Sequence, residues 1–421
     1  MTAPAITPRT YVPQDRLYVW AMLNPAAPTL VGEVSLSRLV TDCATFTYTP
    51  DWWNFPLSED LPLIPGQMFS AGQRDTAPGA IDDARPDRWG ERIIRHIDRP
   101  ARLSILEMLL FAGDDRFGAL GISLSATQYI PRYLGPYPQL ADIARLASTI
   151  EDVQTQAPIS AEIQRLIQPG VTLGGARPKT LLQTDAGPCV IKFSELDDPV
   201  DTPLIEHATM TLVAQAGLCV AKTGVLPLPL RHGKVRHALT IERFDRLGPY
   251  RVHCLSAKTA LRAASLPEKS YAALASILLR LGHPNRQAAM REELFQRMVF
   301  NILMDNTDDH ERNHSISLNL SDGYYDLTPA YDVVPSLQNL GYQALTVGRS
   351  GAESSLENAL TDINEFGIKK PRAMALVQQV AATVEQWAGH FRQCGVCDAD
   401  MEQLAASIDR DALRQQRQEF L

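Results

Sequence analysis

The stretch Phe300–Ser317, FNILMDNTDDHERNHSIS, constrains the fold more than any other part of the chain. The apolar run Leu294–Met304 that leads into it predicts a buried helix. Asp305 and Asn306 end that helix, because short polar side chains compete for the backbone. The run Asp308-Asp309-His310-Glu311-Arg312-Asn313 is a dense polar loop. Ser315–Leu320 alternates in polarity and predicts a short strand. A buried helix thus feeds an acid-rich loop that returns as a strand, which points to an α+β fold.

Asp308 and Asn313 are five residues apart. Protein kinases use this spacing in the catalytic loop, where the Asp accepts the substrate hydroxyl proton and the Asn holds magnesium. Such a site needs a second oxygen ligand, since magnesium is a hard ion that bridges nucleotide phosphates. Asp332, at the end of the apolar stretch Tyr325–Val334, is the candidate. Taken singly, Asp308, Asp309 and Asp332 would read as solvated loop and turn acids. Their order, with a lysine-bearing strand upstream, is what favours the site.

That lysine is Lys192, one charge on the apolar strand Val190-Ile191-Lys192-Phe193. A strand lysine can simply snorkel to water. Close behind a Gly-rich loop, it is also how kinases hold the α- and β-phosphates. The loop here is Gly174-Gly175-Ala176-Arg177-Pro178-Lys179, followed by two strand-like runs, Thr180–Gln183 and Cys189–Phe193. Its glycines allow backbone N–H groups to approach phosphate oxygens. It matches neither standard phosphate-loop pattern, and a plain tight turn explains it equally well. Glu206, early in the helix Pro203–Gly217, is placed either to pair with Lys192 or to favour the helix dipole. The strand Arg236–Ile241 runs into Glu242-Arg243-Phe244, which reads as an adenine-contacting hinge or an ordinary strand end.

Upstream, Leu17–Leu23, Leu30–Leu36 and Phe46–Pro50 predict a small antiparallel sheet, with Pro56–Pro78 as loop. Asp82–Ile97 is helical after Pro86, Ser104–Ala112 is a short helix, and Leu140–Gln168 is a pair of amphipathic helices. Beyond the hinge the chain is largely helical: Ser256–Ala263, Tyr271–Leu281, Arg291–Met304, Met374–Gln393 and Met401–Gln418. The expected division is 1–150 as an N-terminal subdomain, 151–250 as the nucleotide-binding part with Gly-rich loop and hinge, and 251–421 as a helical catalytic part.

With 421 residues the chain can bury a large core. Its net charge of -8 argues against a bulk nucleic-acid-binding surface, though a local basic patch is compatible with it. No apolar run approaches membrane-spanning length. The opening MTAPAITPRTYVPQDR lacks the apolar centre of a signal peptide, and the six cysteines are scattered, so a cytoplasmic location without membrane contact is expected. Cys394 and Cys397 form a CxxC with neither a second CxxC nor a nearby His pair, so they read as thiols near a helix end.

The words GGARPKT (174–180), VIKF (190–193), IERFDR (241–246), NTDDHERNHS (306–315) and LTPAYDVVPS (327–336) resemble the HipA family of bacterial serine/threonine kinases. FTYTPDWW, DRWGERII and FGALGIS resemble its N-terminal subdomain. The resemblance implies a two-lobed protein-kinase-like fold. The first lobe would carry antiparallel sheets and the second would be largely helical. It also implies toxin activity within a type II toxin–antitoxin pair. The implied requirements are ATP and Mg2+, a protein substrate such as an aminoacyl-tRNA synthetase, and a small helix-turn-helix antitoxin (HipB-like) through which alone DNA is reached.

By the same resemblance Gly174–Lys179 bind phosphates, Lys192 contacts the nucleotide, and Glu242, Arg243 and Phe244 meet adenine. Asp308 is then the proton acceptor. His310, Glu311, Arg312, Asn313, Tyr331 and Asp332 complete the ATP site, with Asn313 and Asp332 on the metal. Thr172 stands where the family places an autophosphorylated serine. Asp309 replaces the small residue usual after the catalytic Asp, where it would either tune the metal or repel phosphate. Two rival functions remain in view: a small-molecule phosphotransferase, and a non-catalytic co-repressor that holds an antitoxin on DNA.

Overall fold

The computed structural model describes residues 11–37, 43–132, 136–157, 167, 169–170, 175–185, 187–229, 235–266 and 268–421. Thr172 and Gly174 lie outside them, as does much of the second helix expected before Gln168. The chain divides into two compact units: Met1–Ile191 with Arg243–Ala264, and Lys192–Glu242 with Ser265–Leu421. No helix among the described residues is long and apolar enough to cross a membrane. Strands and helices are numbered below in chain order.

The first unit opens with an antiparallel sheet in the order β4-β3-β2-β1-β5. Its strands are β1 (Arg16–Ala21), β2 (Thr29–Leu36), β3 (Ala44–Tyr48), β4 (Met68–Ser70) and β5 (Leu120–Ser123). Alternation works as expected here: Leu17 and Val19 of β1 and Val31 and Val34 of β2 are fully buried. The edge strand β4 falls in the segment read as loop. Three residues among prolines and glycines are too few to show a period of two.

Asp87 caps α1 (Arg88–Ile93), its Oδ1 accepting from Gly90 N at 2.9 Å. The helix then widens to π geometry over Ile94–Asp98 and stops at Arg99, which is left-handed with φ 44°. Ser104 and Glu107 form a capping box on α2 (Ile105–Phe111), and α3 (Ile143–Gln154) buries Leu146, Ile150 and Val153. The hairpin β6 (Lys179–Thr184) and β7 (Gly187–Lys192) follows. The rest of the unit is β10 (Arg246–Leu247), β11 (Tyr250–Arg251), β12 (Cys254–Ser256) and α5 (Ala257–Ala263).

In the second unit α4 (Thr202–Gln215) starts with Pro203 in its first turn and is buried along most of its length. The strands β8 (Thr223–Pro229) and β9 (Val235–Glu242) pair antiparallel. Next come α6 (Tyr271–Leu281) and α7 (Gln287–Leu303). Leu294, Phe295, Met298, Val299, Ile302 and Leu303 of α7 are almost fully enclosed, as their apolar run predicts. The strands β13 (Ser315–Leu318) and β14 (Tyr325–Leu327) form a hairpin that pairs Ile316 with Leu327.

After α8 (Leu356–Ala359), the two long helices expected near the C-terminus are each divided. They form α9 (Lys370–Val384) with α10 (Trp387–Gln393), and α11 (Asp398–Ile408) with α12 (Asp411–Gln418). Arg417, almost fully buried, holds both breaks, since its guanidinium pairs with Glu385 and Asp409. An apolar period gives no sign of such a break, because the period resumes after it.

Candidate active site

The loop after α7 begins with Asp305 in the left-handed region, φ 54°, where glycine is usual. Asn306 N donates to Asn301 O at 2.9 Å, closing the helix end. Thr307 is bound on two sides: its Oγ1 shares a hydrogen with Ser336 Oγ at 2.6 Å, and its carbonyl accepts from Ala344 N at 3.1 Å. Arg410 Nη1 reaches the Asp305 carboxylate at 2.9 Å, yet burial still raises the Asp305 pKa. The loop thus leaves a rigid helix and is fastened before it reaches Asp308.

From Asp308 onward the side chains alternate outward and inward. Asp308 and Arg312 are exposed, while Asp309, Glu311 and Asn313 are buried. Asn313 N donates to His310 O at 2.8 Å, and Asn313 Nδ2 to Asp308 O at 3.2 Å, so the loop closes on itself around the five-residue spacing. Glu311 pairs with Lys269 at 2.7 Å, which helps hold its pKa below the usual value despite burial.

Asp332 is brought towards this loop by backbone ties. Thr328 N donates to Ser315 O at 3.0 Å, Ala330 N to Cys219 O at 2.8 Å, and Ala221 N to Ala330 O at 2.9 Å. The Tyr331 hydroxyl donates to Arg312 O at 2.9 Å and so joins the two segments directly. Asp332 itself has φ 61°. A non-glycine residue held there costs of order 1–3 kcal/mol and persists only where surrounding contacts over-determine it.

Lys192, at the end of β7, is almost fully buried. Its ammonium donates to Glu206 Oε1 at 2.7 Å and to Asp332 Oδ1 at 2.5 Å. Burial alone would push the ammonium towards neutrality; the charges of Asp332 and Glu206 outweigh it and hold the pKa above the ordinary lysine value. Lys192 therefore does not snorkel to water. Glu206 lies one turn into α4 and its carboxylate pairs with Lys192 at 2.7 Å.

The remaining residues singled out from sequence lie in other surroundings. Lys179 is fully buried, with its ammonium 2.5 Å from Asp87 Oδ2 and 2.5 Å from Gly175 O. It ties the Gly-rich loop to the start of α1. Gly175 and Arg177 are half-buried, Ala176 is exposed and Pro178 is buried. Glu242, at the end of β9, is exposed and 3.5 Å from Lys222. Arg243 is enclosed in the first unit, bridging Asp245 at 2.7 Å and Asp115 at 3.0 Å. Those arginine charges hold both carboxylates below their usual range against the effect of burial. The Arg243 side chain is thus committed to an internal ion network. Phe244 packs edge-on against Phe117, with centroids 6.1 Å apart.

Asn313 Oδ1 is buried with no hydrogen-bond partner. A buried carbonyl oxygen left unpaired is costly unless something accepts its lone pairs. This oxygen and the Asp332 carboxylate are each hard donors, the type magnesium selects while keeping water and phosphate oxygens for its other positions. In donor type these two residues suit the ion. Among the described residues no cluster of three or more His, Cys, Asp or Glu could hold a metal.

Sequence reasoning left one set of residues unassigned. The Asp309 carboxylate points into the second unit, where Oδ2 accepts from the Tyr271 hydroxyl and from His314 Nε2, the latter at 2.8 Å. Burial alone would raise the Asp309 pKa, but His314 and Tyr271 pull it below the usual value. Tyr271 lies far upstream, and no local pattern links it to this loop.

Comparison with known proteins follows the same lines. The HipA-like C-terminal domain family matches residues 171–388, and the HipA N-terminal domain family matches residues 26–123. A Haemophilus influenzae protein named provisionally as a kinase is 26% identical over 192 residues, 40% of this chain and 53% of that protein. The match thus spans about half the length of that relative. Among solved structures, the HipA of Shewanella oneidensis, in a toxin–antitoxin complex with HipB and operator DNA, has a TM-score of 0.66. It is 17% identical, and the match covers 96% of this chain and 97% of that one. The kinase CtkA of Helicobacter pylori has a TM-score of 0.43 at 13% identity over 60% of this chain and 96% of its own. The fold is the expected α+β, protein-kinase-like type.

Proposed function

Because the chain belongs to the HipA family, we propose that it is an ATP- and Mg2+-dependent kinase that phosphorylates a serine or threonine hydroxyl on a protein. The observation that carries this reading is the Lys192 ammonium held between Glu206 and Asp332, in the same unit as the Asp308–Asn313 loop. A lysine, a helix glutamate and two loop acids in these relations are the working parts of phosphoryl transfer.

In this reading the substrate hydroxyl oxygen attacks the γ-phosphorus of ATP while the bond to the β,γ-bridging oxygen breaks. ADP leaves, and the hydroxyl proton passes to the exposed Asp308 carboxylate. Lys192 offers its ammonium to phosphate oxygens, a contact that draws it from Asp332. Asn313 and Asp332 would hold Mg2+, which when bound neutralises charge on the phosphate oxygens. His310, Arg312 and Tyr331 border the same loop. Gly174–Lys179 as phosphate loop and Glu242–Phe244 as adenine hinge enter through the family resemblance. Lys179 serves there as the anchor of the loop to Asp87.

The partner proposed with this function is a small helix-turn-helix antitoxin, DNA being reached through it. Support comes from the HipB and operator DNA bound to the Shewanella protein. Co-expression with a helix-turn-helix protein encoded beside this chain tests it, a stable complex being expected.

The enzymatic reading is tested by intact mass after incubation with Mg-ATP, beside Asp308→Asn. A gain of one phosphate in the wild type alone is expected, with Thr172 the first position to map. An equal gain in both proteins removes Asp308 from the chemistry. If neither gains mass, calorimetry with ATP decides: no binding overturns the kinase reading.

A further inference from the structure

Asp308 and Asp309 are neighbours with opposite environments. Asp308 is exposed, whereas Asp309 is 2% exposed. We propose that Asp309, with Tyr271 and His314, is the positioning device of the loop, setting the conformation that presents Asp308 and Asn313. The proposal rests on the kinase reading above.

Four features of the second unit carry it. First, one oxygen, Asp309 Oδ2, collects both donors, the Tyr271 hydroxyl and the His314 imidazole. Second, the donors come from different places. Tyr271 opens α6, its own N–H bound to Thr346 O at 3.1 Å, and His314 directly precedes β13. The carboxylate therefore clamps the start of the loop to its end and to a helix outside it.

Third, the clamp encloses the functional span. His310 to Asn313 lie between Asp309 and His314, and Asn313 returns a hydrogen bond to the Asp308 carbonyl. Asp309 is buried and its neighbour Asp308 exposed, so fixing the Asp309 side chain fixes the backbone from which Asp308 projects. Fourth, Tyr271 and His314 stack edge to face with centroids 5.8 Å apart, and all three side chains are at most 4% exposed. Water does not compete for these bonds, so they are geometrically selective. The ionised Asp309 accepts only, so His314 presents its Nε2 proton to it. Asp309 thus faces away from the side of the loop that bears Asp308.

Asp309→Asn keeps the shape and removes the charge of the group that collects both donors. With the amide oxygen in the place of Oδ2 both bonds lose their charge assistance, and with the amide nitrogen there neither donor keeps its acceptor. Single-turnover phosphoryl transfer should fall roughly 10- to 100-fold, the usual loss when a partner behind a working residue is changed. ATP affinity by calorimetry should stay near wild type, a split that general destabilisation would not produce. Tyr271→Phe should fall less, and the double variant should be no slower than Asp309→Asn, since the residues act as one unit.

A wild-type rate in Asp309→Asn overturns the proposal; should that variant not fold, an unchanged rate in Tyr271→Phe does so. Nitrogen-15 NMR of His314 reads the network without any phosphoryl transfer. The Nε2–H tautomer is expected in the wild type. Nδ1–H in the wild type overturns the clamp itself. The expected tautomer in a protein with no transfer activity overturns the kinase reading, and the positioning role with it.

Discussion

At the scale of single residues, Lys192 shows how burial turns an ordinary cation into a sensitive one. Its ammonium is enclosed, and its charge persists because two carboxylates face it. Lys192→Ala leaves Glu206 and Asp332 with no cation between them. Breaking a buried pair by removing one partner typically costs about 3–5 kcal/mol, so urea unfolding of the variant should show a loss of that order. Calorimetry should show weaker ATP binding, by about 1.5–3 kcal/mol for a lost charged hydrogen bond. A stability loss with unchanged ATP affinity would leave Lys192 a structural ion only. Asp305 and Asp332 make a related point. Both are non-glycine residues at positive φ flanking the same loop, and each is held by contacts that a free chain lacks.

At the scale of elements, the Gly-rich loop is positioned through α1. Lys179 is tied to Asp87, the residue that caps the helix, and the Trp89 indole donates to Lys179 O at 2.8 Å. The chain before the loop presses on the same helix. A Cβ added to Gly90 would lie 1.9 Å from Pro169 O and 2.6 Å from Pro86 Cβ. Neither neighbour is the end of a flexible side chain. Gly90→Ala should therefore destabilise the first unit by about 1–3 kcal/mol, as overpacking does. Thermal unfolding measures it, and a melting temperature equal to wild type would show that the contact yields freely. The words DRWGERII and GGARPKT, read separately in sequence, thus belong to one local assembly.

At the scale of the whole molecule, acid sensitivity should appear in the first unit. His253 is buried with Nε2 2.9 Å from Leu57 O, and burial pushes its pKa down to about 4. Its unfolded value is about 6.5, so the unfolded chain binds more protons between the two values and stability falls as pH drops through that window. The loss from this residue should be about 2 kcal/mol between pH 7 and pH 5. Urea unfolding at the two values measures it, and the loss should shrink in His253→Gln. An equal loss in both proteins would assign it elsewhere. At lower pH the carboxylates Asp115 and Asp245, held ionised by arginines, add to the same trend. Their folded values lie below the unfolded one of about 3.9, so their stabilisation disappears as they protonate.

Much of the architecture and site was legible because it is local. The sheet of β1 to β3, the hairpin carrying Lys192, the buried α7 and the loop from Asp308 to Asn313 each announce themselves through period, turn residues or spacing. Splits within α9 to α12 were not legible, since apolar positions resume after each break and the Arg417 pairs at them join distant residues. Nor was the inward turn of Asp309 legible, because its partner Tyr271 lies 38 positions away. The sequence by itself determined which residues are candidates for phosphoryl chemistry and the order in which they come. Tertiary structure alone decided which carboxylate faces out and which is buried, and that Lys179 and Arg243 spend their charge internally. Those outcomes depend on which groups lose water together, and desolvation is a property of the packed chain, not of the order of its residues.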